Sequence, residues 1–255
     1  MMADADIAHA RQVDAQRACL LPRSPEKTNS PMKLLVLRHG ETAFNIEQRY
    51  LGALDPALTE RGIGQAQQLA RILPDDIQHI LCSPMLRARQ TADIIAQAGN
   101  TKTKVVSAFR ERDVGVFEGL TQAQAQQRHP DLWARNITRR WREAPTGGET
   151  IEAVTLRVRD GLLQLQQRYG DTPVALVAHG FVAKVIRALS QQNFADLFTW
   201  QLANAQGFMA TGSAADLERM ERRSLRQLWE DGQPDQDSPR TLSTAASIAE
   251  PGHAV

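Results

Sequence analysis

"KLLVLRHGETAFN", Lys33 to Asn45, runs apolar as far as Leu37 and then sets Arg38, His39 and Gly40 in succession. Further on, "PVALVAHGFVAKVIRAL", Pro173 to Leu189, repeats the arrangement: an apolar run, His179, Gly180, then a helical pattern. Two strands therefore end in His-Gly. In an open α/β sheet, ligands bind outside the carboxyl ends of the parallel strands. Either histidine alone reads as a strand-end residue bonded to a backbone carbonyl, whereas the pair predicts two imidazoles in one crevice.

The stretches between these strands alternate in period. Strand one spans Lys33 to Arg38, and "LTERGIGQAQQLARIL" follows with Leu58, Ile63, Ala66, Leu69, Ala70 and Leu73 at near-helical spacing, opened by Thr59 as cap and Glu60 as first-turn acid. "QHILCS" reads as a strand, and "PMLRARQTADIIAQAG" as a helix with Pro84 at its first position and Gly99 just past its end. "TKVVSAF" adds a strand with two β-branched valines. Thr121 to Thr146 is polar, aromatic and arginine-rich, and reads as a pair of short helices lying over something. "GGETIEAVTLRVRDGLLQLQQRYG" is an amphipathic helix with Ile151, Val154, Val158, Leu162 and Leu165 on one face. This β-α alternation predicts an α/β fold with a mostly parallel sheet covered by helices on both sides. Near the end, "QGFMATG" and "SLRQLWEDG" fit either a late hairpin or, through Leu217, Met220, Leu225 and Leu228, a helix.

With 255 residues, 42% hydrophobic and 23% charged, the chain has the composition of a globular protein. A formal net charge of +1 gives no general reason to expect nucleic acid or an anionic membrane as partner, so any anion site must be local. The two cysteines, Cys19 and Cys82, have neither metal-binding nor CxxC spacing. No apolar stretch approaches the roughly 20 residues of a membrane helix, and the N-terminus lacks a secretory pattern. These features read as a cytoplasmic protein. Residues 1–31 read as a flexible extension ending in the linker "LLPRSPEKTNSPM", 32–231 as the folded domain, and 232–255 as a disordered tail with little to bury.

At the strand ends the residue types suit phosphate. Glycine permits close backbone approach, arginine presents a fork matched to phosphate oxygens, and the amides of a following helical turn favour an anion. "SPMLRARQTA", Ser83 to Ala92, brings a second arginine to the same edge: Arg87 in the first turns of a helix that follows a strand. Arg89, two residues on, faces away.

"LRHGETAFN", "SPMLRARQTA", "FRERDVGVFEGLT", "GGETIEAVTLRVR" and "LVAHGFVAKVIRAL", in this order and spacing over Met32 to Leu202, resemble the histidine phosphatase superfamily, also called phosphoglycerate mutase-like. The resemblance implies a three-layer α/β/α sandwich in which His39 is the nucleophile that carries a phosphoryl group. It also implies that Arg38 and Arg87 clamp phosphate, Asn45 adds a further phosphate-side contact, Glu111 is the proton donor, and His179 holds phosphoryl oxygens. The chemistry agrees. A neutral imidazole can attack phosphorus, nearby guanidiniums disfavour imidazolium and neutralise the transition state, and a protonated Glu111 can supply the leaving alkoxide with its proton. No cofactor and no metal are expected, since two arginines beside His39, His179 and Glu111 would repel a cation.

Two aromatic positions depart from the family pattern, Phe44 and Phe117 standing where tryptophans are usual. Val114 stands where the mutases carry a tyrosine, and Thr121 to Thr146 is short for their substrate-enclosing insertion. The expected activity is therefore hydrolysis of a small-molecule phosphomonoester. A phosphoglycerate mutase-type transfer is the enzymatic alternative, and a phosphate- or phosphoprotein-binding module the non-enzymatic one. Arg135, Arg139, Arg140, Arg142, Trp133 and Trp141 in the lid-like segment fit a selective wall for an anionic or aromatic leaving group, or a solvated helix face with tryptophans packed beneath.

Overall fold

The computed structural model describes residues 31–232. The extension and the tail read from the sequence lie outside the described residues, apart from Pro31 and Gly232. In chain order the elements are β1 (Met32–Arg38), α1 (Ala43–Ile46), α2 (Glu60–Ile72), β2 (His79–Cys82), α3 (Leu86–Ala98), β3 (Thr103–Val105), α4 (Gln122–Arg128), α5 (Pro130–Ala134), α6 (Ile151–Tyr169), β4 (Val174–Ala178), α7 (Gly180–Gln191), β5 (Gly207–Gly212), α8 (Ala214–Arg219) and α9 (Arg222–Gly232). Short 3₁₀ turns occupy Ser107–Phe109, Gly115–Phe117 and Ile137–Arg139.

Successive side chains of a strand point to opposite faces, and the core divides along that alternation. Leu34, Val36, Leu81, Leu176 and Ala178 face α6 and α7, where they join Val154, Val158, Leu162, Val182 and Ile186. Leu37, Ile80, Cys82, Ala175 and Val177 face α2 and α3, against Leu69, Ala88, Ala92 and Ile95. A sheet buried on both faces with helices on each is the expected three-layer α/β/α sandwich. Strand order is β3-β2-β4-β1-β5, parallel except for β5, which runs antiparallel to β1.

Local chemistry sets the helix boundaries. Thr59 caps α2 by accepting from the Gly62 amide, and Thr150 caps α6 by accepting from Ala153. Within α2, Ile63 is exposed rather than on the buried face. Helix α3 corrects the sequence reading: Pro84 lies outside it, Met85 is the boundary residue, and the carboxylate of Asp55 accepts from the Leu86 amide at 2.7 and 2.9 Å. A loop residue distant in sequence thus starts this helix. The strand read in "TKVVSAF" stops at Val105, and Ser107–Phe109 turns instead.

Thr121 to Thr146 does form two short helices, followed by a turn, over a small core of Phe117, Leu120, Ala125 and Ile137. At the C-terminal side each reading held for half the segment. "GFMATG" is a strand, but its partner is β1, while "SLRQLWEDG" lies in α9, which buries Leu225 and Trp229. Trp229 stacks on Trp141 of the lid segment with ring centroids 5.1 Å apart. Among the described residues no helix is long and apolar enough to cross a membrane.

Candidate active site

Strand register brings the two histidines together. Arg38 pairs with Ala178 across β1 and β4, and the next amide, that of His39, donates to the Ala178 carbonyl. His39 and His179 therefore leave the sheet side by side, their ring centroids 5.2 Å apart and their planes at 59°. Their side chains are buried. Ser83 occupies the same strand-end position on β2, its amide bonded to the Val177 carbonyl.

Hydrogen bonds assign the protons on each ring. His39 Nδ1 lies 2.7 Å from the Gly40 carbonyl oxygen, which can only accept, so Nδ1 carries the proton and Nε2 keeps its lone pair. Gly40 itself is required by packing, because a Cβ there would sit 2.4 Å from the Gly62 carbonyl oxygen. Burial holds His39 well below the ordinary imidazole range, and Arg87 and then Arg38 push it the same way, against the Gly40 bond. His179 is lowered for the same reasons, burial first. Its Nε2 is 2.7 Å from Ser83 Oγ, and that hydroxyl oxygen also accepts from the Met85 amide at 3.3 Å. With the serine proton donated to Nε2, Nδ1–H of His179 is left as a buried donor without a protein partner.

Two guanidiniums flank the rings. Arg87 is fully buried, with one nitrogen donating to Leu54 O at 2.8 Å and the other to Gly52 O at 3.1 Å. Arg38 donates to Leu202 O at 2.7 Å and lies over the start of α7, its guanidinium carbon 3.6 Å from where a Gly180 Cβ would be. The Nε atoms of both arginines are buried without protein partners. Burial lowers both from the usual arginine value and Glu111 opposes the shift in each. These donors, with His179 Nδ1, fit the oxygens of a tetrahedral oxyanion.

Glu111 stands on the connection between two 3₁₀ turns and is oriented by two distant helices and by its own neighbour in the chain. Its Oε2 accepts from the Phe181 amide in the first turn of α7 at 3.1 Å, and its Oε1 from the Arg112 amide at 2.9 Å. Its carbonyl accepts from Arg157 of α6, which also donates to Ala108 O and Arg110 O at 2.7 and 2.8 Å. Arg157 is in turn gripped by both carboxylate oxygens of Glu149 at 2.7 and 2.8 Å. Gly161 lets α6 lie close enough for this, since a Cβ there would sit 2.7 Å from that of Ala108. The motif "GGETIEAVTLRVR" thus supports the loop that carries Glu111.

Asn45 joins the same edge. Its Oδ1 accepts from the Thr42 amide and hydroxyl, both at 3.1 Å, and from Asn204 Nδ2 at 3.0 Å, which leaves its own amide group to donate. Asn45 and Arg38 line a cleft of about 360 Å³ with Tyr50, Gln122 and Asn204. Tyr50 and Gln122 also border a second cleft of about 280 Å³ beside Glu111, Arg112, Phe181 and Lys184. Of the six lid residues singled out in the sequence, Arg139 alone lines this second cleft. Trp141 is buried, Trp133 packs on the small lid core, and Arg135 and Arg142 pair with Glu143 and Glu152.

A model of the histidine phosphatase superfamily (branch 1) matches residues 34–211. The chain belongs to this superfamily. A bifunctional protein of Mycobacterium tuberculosis is 35% identical over 178 residues, covering 66% of this chain and 48% of that protein. The chain therefore spans about half the length of that relative. Phosphoserine phosphatase 1 of Hydrogenobacter thermophilus is 34% identical over 154 residues, 58% of this chain and 71% of that protein. Among solved structures, a mycobacterial glucosyl-3-phosphoglycerate phosphatase superimposes with a TM-score of 0.65 at 31% identity, over 74% of this chain and 94% of its own.

Several supporting residues were not singled out in the sequence. Ser83 was within reach, because it ends β2 as His39 and His179 end β1 and β4. Asn204 donates to His39 O at 3.1 Å, and Thr91 accepts from the Gly40 amide at 3.0 Å, yet neither carries a local signal. Glu118 is a further support of this kind. It accepts from the amides of Gly52, Ala53, Leu54 and Val114 at 2.8 to 3.4 Å, and so holds the loop whose carbonyls anchor Arg87.

Proposed function

We propose that this protein is a phosphomonoester hydrolase that needs no metal and works through a phosphohistidine on His39. The observation that carries the reading is the His39 ring, fixed by Gly40 with Nε2 as its free base, 5.2 Å from the His179 ring and flanked by Arg38 and Arg87. In the first step Nε2 attacks phosphorus, a P–N bond forms and the ester P–O bond breaks. Glu111 gives its proton to the departing alkoxide. Arg38, Arg87, Asn45 and His179 Nδ1–H hold the other phosphoryl oxygens, where charge accumulates. The Nδ1–H bond to the Gly40 carbonyl stabilises the positive ring of the phosphoenzyme. In the second step Glu111, now a carboxylate, takes a proton from water, whose oxygen attacks phosphorus as the P–N bond returns its electron pair to Nε2. The products are the alcohol and inorganic phosphate. Guanidiniums on both sides make the pocket hostile to a cation, which supports the metal-free reading.

Hydrolysis is favoured over mutase transfer because open clefts lie against Arg38 and against Glu111, so that water can stand beside the group proposed to activate it. Incubation with p-nitrophenyl phosphate tests the enzyme reading: turnover by the parent and none by His39→Ala is expected, and equal background from both would overturn it. With 3-phosphoglycerate and a trace of the bisphosphate, release of inorganic phosphate is expected. Isomerisation to 2-phosphoglycerate without phosphate release would establish the mutase instead.

A further inference from the structure

Helix α7 does more than hold Glu111. Phe181, whose amide bonds the carboxylate, and Lys184 are three residues apart and so share one face, separated by about 4.5 Å of helix rise. Both line the cleft beside Glu111. Lys184 is half-buried and forms no ion pair with any described residue. The neighbouring acid Asp196 is taken by Arg187. Arg139, seated over the Phe198 ring at 4.9 Å, adds a second cation to this wall. A half-buried lysine with no carboxylate in direct contact is costly to keep charged, and an anion arriving with the substrate would offset that cost.

Resting on the hydrolase reading, we infer that Lys184, with Arg139, binds a second anionic group on the alcohol half of the substrate, a carboxylate or a second phosphate placed a few bonds beyond the ester oxygen. The preferred substrates are then phosphomonoesters of acidic alcohols rather than of neutral ones. The group is also poised to report on itself. Burial, then Arg139, brings Lys184 down to about 8, with Arg38 acting the same way and Glu111 and Asp196 opposing. Arg112 also lines the cleft, and Arg187 lies on the same helix.

Two matched substrate pairs test the assignment in the full chain: 3-phosphoglycerate against glycerol 3-phosphate for a carboxylate, and fructose 1,6-bisphosphate against fructose 1-phosphate for a phosphate. The ratio of kcat/KM within a pair is insensitive to any loss of folded enzyme. The parent is expected to prefer the acidic member of at least one pair at pH 7. Lys184→Met should lower that ratio about 10-fold, mainly through KM, as the loss of one charge-assisted bond predicts. Between pH 7 and 9 the parent's ratio should fall, while Lys184→Arg keeps it and Lys184→Met stays flat. No acidic preference in either pair, or an equal loss on both members in Lys184→Met, would overturn the inference while leaving hydrolysis of p-nitrophenyl phosphate intact. If the parent hydrolyses no ester at all, the hydrolase reading falls and this inference with it.

Discussion

The two halves of the site are built differently. On the proposed phosphate floor, His39, His179 and Arg87 are all buried, and each follows directly from a strand or opens the helix after it. On the side of the proposed acid, Glu111 belongs to no regular element and is held by an amide on α7 and by an arginine on α6 that a glutamate before α6 grips in turn. The floor derives its geometry from sheet register, which moves only if the core moves. Glu111 derives its geometry from two backbone amides and from the Arg157–Glu149 pair, which a single side-chain substitution can remove. Substitutions on the floor should therefore abolish chemistry for every substrate, whereas those on the acid side should discriminate by leaving group.

The largest effect is expected from His39→Ala, which removes the nitrogen proposed to attack phosphorus: turnover should fall on the order of 10⁴-fold or more for alkyl and nitrophenyl phosphates alike. Glu111→Gln comes next and separates the two. Alkyl phosphates, whose alkoxide needs a proton, should slow by about 10²–10⁴-fold, and p-nitrophenyl phosphate far less. Equal losses would move the acid elsewhere.

A smaller change with the same signature is expected from Arg157→Met, which frees the Glu111 backbone without touching substrate. Its kcat on alkyl phosphates should drop about 10-fold, as one or two buried charged hydrogen bonds predict, and the nitrophenyl ester should again be spared. A uniform loss on both would make Arg157 structural only. Smaller still, Glu118→Gln turns an amide group toward backbone N–H donors and loosens the loop that anchors Arg87. KM should rise by about fivefold for all esters, with the alkyl-to-nitrophenyl ratio unchanged.

Stability supplies a check on the floor that does not involve substrate. Both histidines are depressed in the folded state, so below about pH 6.5 the unfolded chain binds protons that the folded one does not. Because unfolding takes up protons in that range, stability is lost as the pH is lowered. Tm should be flat above about pH 7 and decline toward pH 5, and the decline should be shallower in His39→Ala. A Tm independent of pH over that range would mean that the histidines are solvated.

Much of the floor was legible because it is local. His-Gly after an apolar run marks a strand end, and helical phase alone separates Arg87 from Arg89. Arg38 was legible from its place at the strand end, and the register of β1 on β4 brings it to the same edge as His179, whereas Asn45 was placed by resemblance to the family alone. Supports such as Glu118, Asn204 and Arg157 were not legible as supports, because their partners lie far away in sequence and nothing beside them announces the bond. Pro84 misled for the same reason: an aspartate some thirty residues upstream, not the local sequence, starts α3. The strand at Gly207–Gly212 was ambiguous because its pairing partner is the first strand of the fold, not a neighbour.

The most direct test is rapid acid-free quenching of the enzyme during turnover of a ³²P-labelled phosphomonoester, followed by peptide mapping. Label on the peptide containing His39, stable to base and lost in acid, is expected within the first turnover. Label on another side chain, or a burst of product with no labelled protein, would contradict a phosphoryl group passing through His39.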